Sequence, residues 1–141
     1  MRNKAFTLIE LLIVVSIIGI LASVLISVIN YKQKKAIAED AVKKSNIEKI
    51  SESIESYYAM ESKYPEVDSG LPKGLGDGTS AINTYINKWP GIAGQYVYQT
   101  DGTSFAVYVE SAENPGYYFK YSSVWEQIET CTKVTDVSSC L

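Results

Sequence analysis

The stretch KAFTLIELLIVV, Lys4 to Val15, decides how the rest of the chain is read. A single carboxylate, Glu10, stands inside an apolar run, and from Leu11 to Ile29 no residue is charged. A run of about 18 or more such residues predicts a membrane-spanning helix. A charge deep in such a segment costs on the order of 2.5–3.5 kcal/mol on insertion scales. Glu10 therefore either has a task or lies shallow enough to escape that cost.

The 141 residues suit one domain plus a membrane segment. The aliphatic residues concentrate in the first thirty positions, and the remainder reads as an ordinary folded domain rich in tyrosine. From Lys63 onward, 5 Lys stand against 9 Asp and Glu, a local balance of −4. An acidic domain without a basic stripe argues against a nucleic-acid surface. There is no His. No GxxxxGK[ST] phosphate loop occurs, and Asp68, Asp77 and Asp101 are too dispersed for a calcium loop. The chain offers no nucleophile with an evident base, so no enzyme is expected, and no residues are assigned to a cofactor or metal.

The N-terminal block admits three readings. Arg2 and Lys4 followed by apolar residues outline a secretory signal. A cleavable signal has an apolar core of about 7–15 residues with small residues at the cut. This block is longer, and the best cut, after Ala22, has Ile20 where a small residue is wanted. A plain uncleaved anchor explains the length but not Glu10. The third reading uses every residue: Ala5-Phe6-Thr7-Leu8-Ile9-Glu10 closely resembles the type III signal of type IV prepilins and pseudopilins.

That resemblance, strong from Met1 to about Tyr64, implies a sequence of events. A prepilin peptidase cuts on the cytoplasmic side between Ala5 and Phe6, and Phe6 is N-methylated. The precursor crosses the inner (cytoplasmic) membrane once with its N-terminus inside. An assembly ATPase and a membrane platform protein then draw it into an extracellular homopolymer. Glu10 follows Phe6 by four residues, so the two share a helix face. The carboxylate rises only about 6 Å above the helix start, where the helix dipole favours negative charge. In the filament core it would be buried, and the family mechanism pairs it with the Phe6 amine of an adjacent subunit. Two departures stand out: Ala5 occupies the usual Gly position before the cut, and Ser27 the place where many relatives carry a kinking Pro.

Beyond Ile29 neither Gly nor Pro occurs from Tyr31 to Ser62. Ile47, Ile50, Ile54 and Tyr57 recur at helical spacing, with Ala36, Ile37, Ala41 and Val42 leading in. The pattern predicts one helix from Phe6 to about Ser62, roughly 85 Å long, ended by Pro65. Lys32, Lys34 and Lys35 compete with Arg2 and Lys4 for the cytoplasm. Glu66 to Gly94 is a Gly- and Pro-rich connection in which Ser80 to Pro90 predicts a short helix capped by Ser80.

QYVYQ, SFAVYVE and YYFKYS predict three antiparallel strands separated by Asp101-Gly102 and Asn114-Pro115-Gly116. A fourth is expected from Lys133 to Val137. Tyr96, Tyr98, Phe105, Val107, Val109, Tyr117, Phe119 and Tyr121 offer the sheet an apolar face for the helix. A cysteine pair in a chain with an export signal suggests a Cys131–Cys140 disulfide; the alternative is two unpaired apolar thiols.

The expected fold is therefore α+β: a long N-terminal helix packed on a small antiparallel sheet of three to four strands. The expected organisation is a leader (1–5), a transmembrane or filament-core helix half (6–29), an amphipathic half (30–64) and a globular head (65–141). The expected function is that of a structural subunit of a type IV pilus. The alternatives are a pseudopilin of a type II secretion or DNA-uptake system, and a membrane-anchored binding module that never polymerises.

Overall fold

The computed structural model describes residues 6–28, 30–91 and 95–140. The chain forms two compact units, Met1–Lys35 and Ala36–Leu141, each described by itself below.

The first unit contains helix α1, Leu8–Val28, and the opening of helix α2, Tyr31–Glu61. The expected long N-terminal helix is present as α1 and α2 together, and it departs from the expectation in detail at two points. Helix begins at Leu8, because Thr7 caps it. Asn30 belongs to neither helix, and its carbonyl accepts the Lys34 N–H (3.1 Å) to open α2. The Asn30 side-chain amide donates to Gln33 Oε1 at 3.3 Å. The absence of Gly and Pro around Asn30 conceals this second start.

In the second unit α2 buries Asp40, Ile47, Ile50, Ser51, Ile54 and Tyr57, a stripe at three- and four-residue spacing. The helix ends through Ser62, which takes a left-handed conformation (φ 57°) while its N–H bonds to the Tyr58 carbonyl (2.8 Å). A left-handed residue just past the last turn is the usual helix stop. Pro65 follows three residues later rather than supplying the stop.

The stripe packs with a four-stranded antiparallel meander, β3 (Tyr96–Thr100), β4 (Phe105–Glu110), β5 (Tyr118–Ser122) and β6 (Gln127–Cys131). The register pairs Tyr98 with Val107, Val109 with Phe119, and Tyr121 with Ile128. Tyr96, Tyr98, Phe105, Val107, Val109 and Phe119 point inward on alternate positions and meet Ile47, Ile50, Ile54 and Tyr57 in one core. Tyr117 lies before β5 and is exposed, so it leaves the predicted face.

Three further corrections concern the head. The fourth strand is Gln127–Cys131, not Lys133–Val137: Glu126 adopts a positive φ (56°) and turns the chain straight back along β5. The short helix α3 covers only Ile82–Tyr85, and Ser80 does not cap it; the Ser80 hydroxyl donates to Asp77 instead. Ile82 and Ile86 still enter the core. The connection also contains a hairpin, β1 (Val67–Asp68) with β2 (Leu71–Pro72). Its two turn residues, Ser69 and Gly70, both have positive φ, as the tightest hairpin turns require. The Gly70 carbonyl accepts the Tyr98 N–H at 2.7 Å, which covers the β3 edge.

Candidate assembly site and C-terminal strap

At the start of α1, Thr7 and Glu10 satisfy each other. Glu10 Oε2 accepts the Thr7 backbone N–H (2.9 Å) and the Thr7 hydroxyl (2.8 Å). The Glu10 N–H returns a bond to Thr7 Oγ1 (3.3 Å). This is a capping box, which uses two of the free N–H groups of a helix start. The T-x-x-E spacing of FTLIE is the sequence signal of such a box. Phe6 precedes the helix and is 77% exposed. Ala5, on the other side of the expected cut, lies outside the described residues.

Above the box, α1 is apolar on every side, and Leu8, Ile9, Leu12, Ile18, Ile20 and Leu21 are all more than half exposed. A helix of this kind is normally covered by a bilayer or by other chains. Among the described residues, no helix is long and apolar enough to cross a membrane. Ile29, the last apolar residue before Asn30, lies outside them.

In the second unit, two buried charges were not singled out by the sequence. Asp40 is 6% exposed and faces the β4–β5 connection. Its carboxylate accepts the Ser111 hydroxyl (2.6 Å), the Ala112 N–H (2.6 Å) and the Glu113 N–H (3.2 Å). Ser111 Oγ in turn accepts the Asn114 N–H (3.0 Å). Lys43 donates to the Glu110 carbonyl (2.7 Å) and lies 4.0 Å from Asp40. Burial works to raise the Asp40 pKa, but the three hydrogen bonds and the Lys43 charge outweigh it and hold the carboxyl below its ordinary value. Ile37 and Val42, expected to lead the apolar stripe, are exposed. At this level the helix meets a turn that presents N–H groups rather than apolar side chains.

Lys120, on β5, is fully buried. Its ammonium donates to the carbonyls of Asp136 (2.5 Å) and Ser139 (2.6 Å) and lies 5.1 Å from the Trp125 ring centre. Burial lowers its pKa, partly offset by the charge of Asp136. The tail it holds is tied back to β6 by a Cys131–Cys140 disulfide, with Cα atoms 4.9 Å apart. Inside the loop, Asp136 Oδ1 accepts the N–H groups of Ser138 (2.9 Å) and Ser139 (2.7 Å), and Val137 is buried. Residues 132–140 thus form a strap fastened at one end by sulfur and in the middle by an amine.

These features define the chain first as one that opens with a capped, apolar, exposed helix and carries an antiparallel sheet. Comparison with known proteins adds the motif. Residues 1–26 match the prokaryotic N-terminal methylation motif. The type II secretion system core protein G of Dickeya chrysanthemi is 33% identical over 70 residues, covering 50% of this chain and 44% of that protein. The type IV major pilin protein PilA of Myxococcus xanthus is 37% identical over 65 residues, 46% of this chain and 29% of PilA. The chain thus spans less than half the length of these curated relatives. No solved structure matches it. The resemblance to type IV pilins and pseudopilins stands on the N-terminal motif and on these relatives.

Proposed function

We propose that the chain is a structural subunit of a type IV pilus filament. The observation that carries this reading is the exposed apolar stretch of α1 that follows Glu10 and the FTLIE box. Such a surface suits lipid in a precursor and neighbouring α1 helices in a polymer. The precursor is held by the uncharged run through Ile29 with its N-terminus cytoplasmic. It is cut between Ala5 and Phe6 by a prepilin peptidase and N-methylated at Phe6. In the filament, Glu10 meets the Phe6 amine of a neighbour. Force comes from an assembly ATPase and a platform protein, so the chain itself needs no catalytic group.

A second reading is favoured by the protein G relatives: a pseudopilin of a secretion machine, building a short filament. Electron microscopy of sheared surface filaments, with mass spectrometry of their subunit, tests both. The expected result is long filaments whose main subunit is this chain beginning at a methylated Phe6. Filaments seen only on overproduction favour the secretion reading. An intact Met1 in the assembled subunit overturns the processing step.

A further inference from the structure

Tyr31, Lys32, Lys34 and Lys35 follow the apolar run just after Asn30, and their side chains are exposed; Tyr31 is 72% exposed. Helix stability does not explain Lys32 and Lys34. The first turn of α2 contains no acidic residue, and cations at a helix start oppose the helix dipole and repel one another. Topology does not explain them either. If Arg2 and Lys4 are cytoplasmic, these lysines lie on the translocated side, against the usual charge bias. A local anionic partner removes both difficulties.

The arrangement indicates which partner. Tyr31, Lys34 and Lys35 stand at i, i+3 and i+4 and share a face, with Lys32 beside it. An aromatic ring and long amines at the exit of an apolar segment match the membrane–water boundary, where rings sit at headgroup level and lysine stems lie along apolar surface. Lys35 also has an interaction within the chain, so Lys32 and Lys34 carry most of the weight.

We infer that Tyr31, Lys32, Lys34 and Lys35 form a docking patch for anionic phospholipid headgroups in the leaflet opposite Arg2 and Lys4. The inference rests on α1 serving as the membrane anchor. The patch would hold the waiting precursor at a fixed depth, and it must be given up when the subunit leaves the bilayer.

The test uses the full chain reconstituted into vesicles of phosphatidylcholine alone or mixed with phosphatidylglycerol. Gentle extraction and mass spectrometry then identify the retained lipids. Each lysine near an anionic surface is worth roughly fivefold, so phosphatidylglycerol should be retained at least fivefold over its share. The combined Lys32→Gln, Lys34→Gln and Lys35→Gln variant should lose this preference, as should wild type in high salt. Equal retention of both lipids by wild type, or unchanged preference in the variant, overturns the inference. A chain that fails to float with either vesicle after alkaline washing overturns the anchor reading itself. Salt-sensitive self-association without lipid, lost in the variant, assigns the patch to a second copy and overturns the lipid assignment.

Discussion

Ser111 donates its hydroxyl hydrogen to Asp40 over 2.6 Å, joining residues 71 apart in sequence at a buried carboxylate. With the Ala112 and Glu113 N–H groups on the same side chain, the bond fixes the height of α2 against the β4–β5 turn. Hydrophobic packing alone leaves a helix some freedom to slide along a sheet; a carboxylate with three directed donors does not.

Asp40→Asn should cost about 2–4 kcal/mol in the folded head, because an amide cannot accept from all three donors and the charge beside Lys43 is lost. The pH dependence has a definite sign. The Asp40 pKa is lowered in the folded state, so its contribution is complete above the ordinary carboxyl pKa. It is lost as pH falls through the folded value. Wild type should lose stability on acidification more steeply than Asp40→Asn. Denaturant unfolding between neutral and acid pH measures the difference, and parallel curves would remove the role given to Asp40.

Lys120 and the disulfide hold the same strap, so their removal should be less than additive. The chain-entropy model gives a loop of about ten residues roughly 2.7 kcal/mol from the disulfide. Lys120→Met leaves the Asp136 and Ser139 carbonyls without their donor and should cost about 1–3 kcal/mol. Once Cys131 and Cys140 are replaced by Ser, the strap lifts and Lys120→Met should add little. Hydrogen exchange at Ser138 and Ser139 reports the lifting directly. Full additivity in a double-mutant cycle would show that the amine and the disulfide act separately.

Gly19 lies inside α1, and a Cβ built there meets nothing within 4 Å. Gly costs about 1 kcal/mol against Ala in a helix interior. Gly19→Ala should therefore stabilise α1 in detergent, read as higher helicity on heating by circular dichroism. If α1 loosens at Gly19 when subunits pack, the same change should slow filament growth. Equal growth rates would mean that this turn stays helical throughout.

The sequence made the repeating features legible. Ile47, Ile50, Ile54 and Tyr57 declared a helix face, alternation from Tyr96 to Tyr121 declared a sheet, and FTLIE marked the N-terminal site. Features set by single polar contacts were harder to see. Asp40 looks like any other charge beside Glu39 and Lys43 until its donors, some seventy residues away, are known. Lys120 stands in a strand among tyrosines, and its partners are backbone carbonyls that no residue type announces. Asn30 stands outside both helices in a stretch without breakers. The tail, Lys133 to Val137, was expected to supply the fourth strand, yet the tight turn at Glu126 gives that place to Gln127–Cys131.

Glu10 has two candidate roles, and they can be separated. In the isolated chain its hydrogen bonds run to Thr7. In a filament it is proposed to meet the Phe6 amine of a neighbour. Glu10→Gln keeps a side chain that a capping box accepts, so the start of α1 should survive. It removes the charge, and an amine buried without its counter-ion is worse by several kcal/mol in a dry site. Thr7→Ala does the reverse: it weakens the cap by about 1 kcal/mol and leaves the carboxylate in place. Both variants should accumulate in the membrane at wild-type levels. Sheared filaments should be few or absent for Glu10→Gln and only modestly reduced for Thr7→Ala. Normal filaments from Glu10→Gln, with assembly lost in Thr7→Ala, would make the capping box the function of Glu10 and end the charge-pair proposal.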